Sequence, residues 1–187
     1  ATLFKQYHLP VYCSPGTGRQ LEYRIAFLSE VLTTFEPDIP FVLGDLTVTP
    51  FSTLHDAADP VGYTFSAGGH KAAIATDLGS VTPAVEAQVK DAGLLVVEAN
   101  HDPDLLRDGP YPFYLKQRIL GDHGHLSNQA CAGLVARAQA RTVVLAHLSA
   151  ENNTPRLALE AVRAAAGAHV TVEVAPRGEV GRGYDVP

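Results

Sequence analysis

The chain has 187 residues, 46% of them apolar and 18% charged, enough for one domain with a core of its own. Its formal net charge of −6 argues against broad electrostatic adhesion to nucleic acid or membrane, while leaving room for a local basic groove or an acidic site neutralised by metal. No apolar run reaches membrane-spanning length and no basic-then-apolar leader opens the sequence, which predicts a soluble, cytoplasmic protein.

In chain order, a strand is predicted over 10–14 and a turn over 15–18, with Thr17 capping a helix that runs to about residue 31. Four short strands follow over 39–43, 46–51, 61–66 and 71–76, spaced closely enough to favour antiparallel pairing. Thr82 and Pro83 open a helix to Lys90, Pro83 standing where no N–H donor is needed. A buried strand is expected over 94–98, helices over 111–120 and 127–140, a strand over 142–146, a helix over 154–166 and a last strand over 170–174. A block of strands that then alternates with helices predicts an α/β domain, a sheet with helices on one outer face. No internal repeat or low-complexity linker divides it. Cys13 and Cys131 match no zinc or redox spacing and read as reduced, buried thiols.

Two short apolar runs lead into residues with chemistry: 72–76 into Asp77, and 142–146 into His147. A third such residue, His55, stands in the segment Leu54-His55-Asp56. Histidine and carboxylate are the usual ligands of zinc or manganese, and strand ends hold side chains more rigidly than free loops do. Asp77 is the candidate bridge between two ions, with Gly79 leaving room for close approach, and His55 and His147 are candidate terminal ligands, one for each ion. Two ions about 3.5–4 Å apart polarise a phosphoryl oxygen, generate hydroxide near neutral pH and hold both attacking and leaving oxygens. Each residue has a plainer reading as well. Asp77 can cap the helix at Thr82, and a lone histidine after a strand is often a hydrogen-bonded core residue. The three occurring in this order favour the metal site.

Five segments carry a resemblance: His55-Asp56-Ala57-Ala58-Asp59-Pro60-Val61-Gly62-Tyr63, Thr76-Asp77-Leu78-Gly79, Glu98-Ala99-Asn100-His101-Asp102, Gly121-Asp122-His123-Gly124-His125-Leu126-Ser127-Asn128, and Ala146-His147-Leu148-Ser149-Ala150-Glu151-Asn152-Asn153. The series resembles the metallo-β-lactamase fold, an αββα sandwich, and within it the YycJ/WalJ branch of metal-dependent DNA exonucleases. The resemblance implies that His55 is a histidine of the first metal, Asp77 the bridging aspartate and His147 the histidine of the second metal. It places His125 where transfer-RNA-processing relatives carry an active-site histidine near the leaving oxygen, a site for proton donation. Asp77 and His125 are thus the catalytic candidates, and Glu98 a carboxylate that orients a histidine. Ser127 and Asn128 read as helix caps, and His101 and His123 as bystanders. Lys116 and Arg118, following Tyr111, Phe113 and Tyr114, are candidate DNA contacts, as are Asn152 and Asn153; an ordinary helix face and plain loop residues are the competing readings.

The sequence departs from the family at one place. The histidine-x-histidine-x-aspartate-histidine signature that supplies the other ligands is absent, and His8 is the only histidine before His55. The expectation is a truncated chain, the C-terminal portion of a single domain, with an apolar sheet face left open. The complete site implies two divalent ions, zinc or manganese, and DNA ends as substrate; this chain alone is expected to hold one ion or none. Two other functions stay open: a phosphodiesterase or thioesterase for small molecules on the same fold, and a non-catalytic fragment or degenerate binding module. The sequence leaves oligomeric state undecided.

Overall fold

The structure, a computed structural model, describes residues 6–7, 9–25 and 31–187. Its centre is a seven-stranded sheet in the order β3-β4-β5-β6-β7-β8-β9: β3 (Phe41–Leu43), β4 (Leu46–Ser52), β5 (Val61–Ala67), β6 (His70–Ala75), β7 (Leu94–Glu98), β8 (Thr142–Ala146) and β9 (Thr171–Val174). The first four pair antiparallel, as their close spacing predicts, and β6 to β9 are parallel. Parallel neighbours need crossovers, and each crossover here carries helix: α2 (Pro83–Val89), then α3 (Pro103–Asp108), α4 (Phe113–Leu120) and α5 (Asn128–Ala138), and finally α6 (Pro155–Ala165).

Helices α2, α5 and α6 share one face of the sheet. Ala73, Ala75, Leu95, Val97, Val143, Leu145 and Val172 point toward them and form one buried core with Val85, Val89, Leu134, Val135, Ala158 and Val162. Side chains alternate across a strand, so Ile74 faces the other way, and it is 38% exposed. That second face is covered in part. At one end lie β1 (Val11–Cys13) and β2 (Leu32–Thr34), a parallel pair; nearby, Phe35 and Tyr12 stack on Phe41 of β3, and Tyr63 meets Phe35 edge-on. At the other, the C-terminal tail is tied down by Arg182 and Tyr184 on Glu173, and Pro187 reaches Gly93.

Several predicted boundaries shift. The first helix, α1 (Pro15–Arg24), starts two residues before Thr17; Pro15 occupies its first turn and Ser14 is the N-cap residue. It ends at Arg24, residues 26–30 of the expected helix lie outside the described residues, and β2 follows where no strand was expected. The six-residue α3 was also unforeseen; Asp102 caps it by accepting from the N–H groups of Asp104 and Leu105. Thr82, Ser127 and Thr154 cap α2, α5 and α6 through their hydroxyls. No described helix is long and apolar enough to cross a membrane, and both cysteines are free and buried. Burial pushes the Cys131 thiol up to about 12.

Candidate metal centre

Four loops meet at one edge of the sheet. Strands β4, β6, β7 and β8 run in the same direction, so their C-terminal ends lie together. Just past those ends stand His55, Asp77 and His147, while Glu98 is the last residue of β7. Glycine 79 N–H donates to the Leu54 carbonyl at 2.7 Å and Leu54 bridges Ser80, which clamps the His55 loop to the Asp77 loop. The backbone turns sharply at both strand ends: Asp77 has φ 56° and His147 φ 55°. These left-handed conformations carry a cost outside glycine, and at His147 the Asn100 amide offsets it by donating to the His147 carbonyl at 3.0 Å.

One oxygen organises the ligand atoms. Oδ1 of Asp77 lies 3.5 Å from Nε2 of His55 and 3.7 Å from Nε2 of His147. Both separations are long for hydrogen bonds. They suit atoms arranged around a cation, because donors about 2.05 Å from a tetrahedral ion stand about 3.3 Å apart. The tautomers agree. A carbonyl and a carboxylate only accept, so His55 Nδ1 donates to the Gly124 carbonyl at 2.9 Å and His147 Nδ1 to Glu98 Oε1 at 2.5 Å. In the neutral imidazole each Nε2 then keeps a bare lone pair. The pairs Asp77–His55 and Asp77–His147 each suit a divalent ion.

The hub beneath them is Glu98, which is fully buried. Its Oε1 accepts from His125 Nδ1 at 2.8 Å and from His147 Nδ1; its Oε2 accepts from the backbone N–H groups of Leu78 and Leu126 at 2.9 and 3.1 Å. Burial alone would raise its pKa, but these bonds outweigh it and hold the carboxyl down at about 2. Although Asp77, Glu98, His125 and His147 all bring a donor atom within 4.8 Å of one another, the four lone-pair directions of Glu98 are already filled. Its two oxygens thus tie two imidazoles to the backbone of the Asp77 and His125 loops. The hydrogen bond to Glu98 also keeps His147 above the usual imidazole range.

His125 sits between the other two rings, its centroid 4.9 Å from that of His55 and 5.2 Å from that of His147. It borders a hollow of about 350 Å³ lined also by His147, Asp56, Asn100, Tyr111 and Arg118. The Arg118 guanidinium pairs with Asp56 and lowers that carboxyl's pKa. Three expected substrate contacts do not line this hollow. Asn153 is 6% exposed and spends its amide on the Ala99 and Asn100 carbonyls and on Asn128. Asn152 is fully buried, with its backbone carbonyl accepting from Asp102 N–H. Lys116 donates to the Arg107 carbonyl and does not line the hollow. Asn128 is no cap either; its side chain pairs with Asn153 inside the fold. His123 offers its carbonyl to the Asp56 N–H, and His101 is 1% exposed with neither ring nitrogen bonded to any described residue. Sequence reasoning passed over Asp56 and Asn100 as parts of this hollow, although both lie inside the quoted His55 and Glu98 segments.

Comparison with known proteins gives a consistent picture. The family model described as β-lactamase superfamily domain matches residues 1–148. The protein called exodeoxyribonuclease YycJ in Bacillus anthracis is 36% identical over 160 residues, covering 83% of this chain and 61% of that protein. Exodeoxyribonuclease WalJ of Streptococcus pneumoniae is 34% identical over 163 residues, 83% of this chain and 60% of its own length. The chain thus spans about three fifths of these relatives. Among solved structures, the metallo-β-lactamase fold protein YhfI of Bacillus subtilis aligns with a TM-score of 0.68 at 19% identity, over 93% of this chain and 65% of that one. Zinc-bound PqqB of Methylobacterium extorquens aligns with a TM-score of 0.66 at 20% identity, over 92% and 65%. The fold is that of the metallo-β-lactamases.

Proposed function

The chain belongs to the β-lactamase superfamily, and from that membership we propose that it is the metal-binding part of a phosphodiester hydrolase that shortens DNA from its ends, in the cytoplasm. The observation that carries this reading is the single oxygen of Asp77 facing the bare Nε2 atoms of His55 and His147. In it, Asp77 together with His55 and His147 would hold divalent ions, zinc or manganese. When bound, such ions polarise the phosphoryl oxygen and lower the pKa of water.

The chain's own residues do the rest. Glu98 keeps a proton on Nδ1 of His147, which leaves Nε2 free to coordinate. The same carboxylate balances the charge of His125 as imidazolium, whose Nε2 proton passes to the leaving oxygen in the hollow beside it. Arg118 exchanges Asp56 for a phosphate oxygen. The exposed rings of Phe113 and Tyr114 on the same helix, 76% and 73% accessible, offer stacking surfaces to unpaired bases. The names of the YycJ and WalJ relatives support DNA as the substrate.

The test is hydrolysis by the full-length protein loaded with manganese or zinc, on duplex DNA ends and on bis-p-nitrophenyl phosphate. Degradation of DNA that disappears in Asp77→Ala and His147→Ala, both still folded, is expected. Turnover of the small ester with none of DNA would replace the nuclease by a small-molecule phosphodiesterase. Near-normal turnover in either variant would overturn the ligand assignment, and a full-length protein that takes up no metal would favour a non-catalytic role.

A further inference from the structure

The loop 55–60 that carries His55 is held from two sides. Toward α4, Asp56 pairs with Arg118. Toward α1, Asp59 Oδ2 accepts from Gly16 N–H at 2.9 Å and its carbonyl accepts from Ser14 Oγ at 2.8 Å. Helix α1 is therefore fixed beside the metal-site loop, and its outer face is unusual. Arg19, Gln20, Tyr23 and Arg24 line, with Gly16 and Ala58, a hollow of about 480 Å³. Arg19 with Tyr23, and Gln20 with Arg24, are four residues apart and so share a face. Tyr23 is 93% exposed. Arg107, Arg118, Arg137, Arg156 and Arg182 each face a carboxylate and Arg163 and Arg177 each donate to a backbone carbonyl, whereas among the described residues Arg19 and Arg24, like Arg141, face no carboxylate. Glu22, the acid of this helix, lies toward Cys13, whose thiol pKa is raised by burial first and by the Glu22 charge second.

Resting on the reading of the site as a DNA hydrolase, we propose that this face of α1 binds the unpaired DNA strand that continues outward from the metal centre across loop 55–60. Two guanidinium groups with no acid partner among the described residues suit backbone phosphates, and the exposed phenol ring beside them suits stacking of an unpaired base. Elsewhere the chain is acidic, with a net charge of −6, so a polyanion is drawn to a patch of this kind and repelled by most of the remaining surface.

The experiment uses the full-length protein and fluorescent single-stranded oligonucleotides of two lengths, about 4 and about 16 nucleotides, titrated at several salt concentrations. The double variant Arg19→Glu/Arg24→Glu should bind the long strand at least about tenfold more weakly, with a log–log salt slope smaller by about 1.4, as expected for two lost phosphate contacts. Tyr23→Ala should weaken long-strand binding about fivefold without altering that slope. Binding of the short strand and turnover of bis-p-nitrophenyl phosphate should stay unchanged in all variants. If the parent cuts DNA but the variants bind both lengths as it does, this proposal alone is overturned. Equal loss on both lengths also overturns it, by placing these residues at the site rather than beyond it. A parent that neither binds nor cuts either strand sinks the DNA reading together with it.

Discussion

Nδ1 of His147 lies 2.5 Å from Oε1 of Glu98, an oxygen that takes a second imidazole proton from His125. An uncharged amide oxygen is a weaker acceptor and brings an N–H₂ group into a place where only acceptors fit. Glu98→Gln should therefore lower metal affinity about 10- to 100-fold while changing volume little. Competition with a fluorescent chelator in the full-length protein measures this, and an unchanged affinity would separate Glu98 from the metal site.

The left-handed backbone of Asp77 yields a second expectation. Glycine adopts φ near 56° without steric cost, and the Asp77 side chain makes no hydrogen bond within the described residues. In metal-free protein, Asp77→Gly should leave urea stability unchanged or raise it by up to about 1 kcal/mol. Metal-induced stabilisation should be lost in the same variant, because the carboxylate is gone. A large destabilisation of the metal-free form would show that the carboxylate holds the fold rather than the ion.

Histidine 101 sets an acid limit. Burial holds its imidazole down at about 4, against an ordinary value near 6.5. The unfolded chain thus takes up this proton at a higher pH than the folded one does. Protonation favours unfolding, and stability falls as pH drops from about 6.5 to about 4, by at most about 3 kcal/mol. His101→Leu removes that loss. Urea titrations at pH 5 and pH 8 should show the two proteins converging or crossing at the lower pH, while an unchanged pH dependence would assign the acid sensitivity elsewhere.

Gly79 is where the Asp77 loop meets the loop before His125. A Cβ there would run into the Asp122 carbonyl and lie 2.5 Å from Gly124 N, both backbone atoms that cannot swing aside. Gly79→Ala should destabilise the protein by about 1–3 kcal/mol and loosen the hold of Gly124 on His55. Chemical denaturation together with metal affinity tests both effects; wild-type values in each would mean that the loop relaxes freely.

Much of this architecture was legible because apolar runs with turn residues on either side mark the strands. Strands β7 and β8 occur over the predicted residues, and the caps at Thr82 and Ser127 follow from local chemistry. β2 was hidden because Leu32-Thr33-Thr34 is too short to show a period, and α3 because six residues hold under two turns. At the site, Asp77 and His147 stood out because each follows an apolar run. The fate of Asn152 and Asn153 was out of reach: their sequence setting is that of a loop, and what buries them are partners at residues 99–102 and 128. Long-range polar pairing of this kind leaves no local pattern. The reach of Glu98 to two rings and two backbone amides is non-local in the same way.

Adjacent parallel strands fix the pitch on which Asp77, Glu98 and His147 are mounted, at about 4.8 Å per strand. The connections that border the neighbouring hollow, by contrast, carry Asp56 and Tyr111 on loops and Arg118 on α4. Inheritance can thus alter what is gripped without disturbing what reacts: a lineage could exchange the loops for a new clientele while the ruler beneath them stays in place.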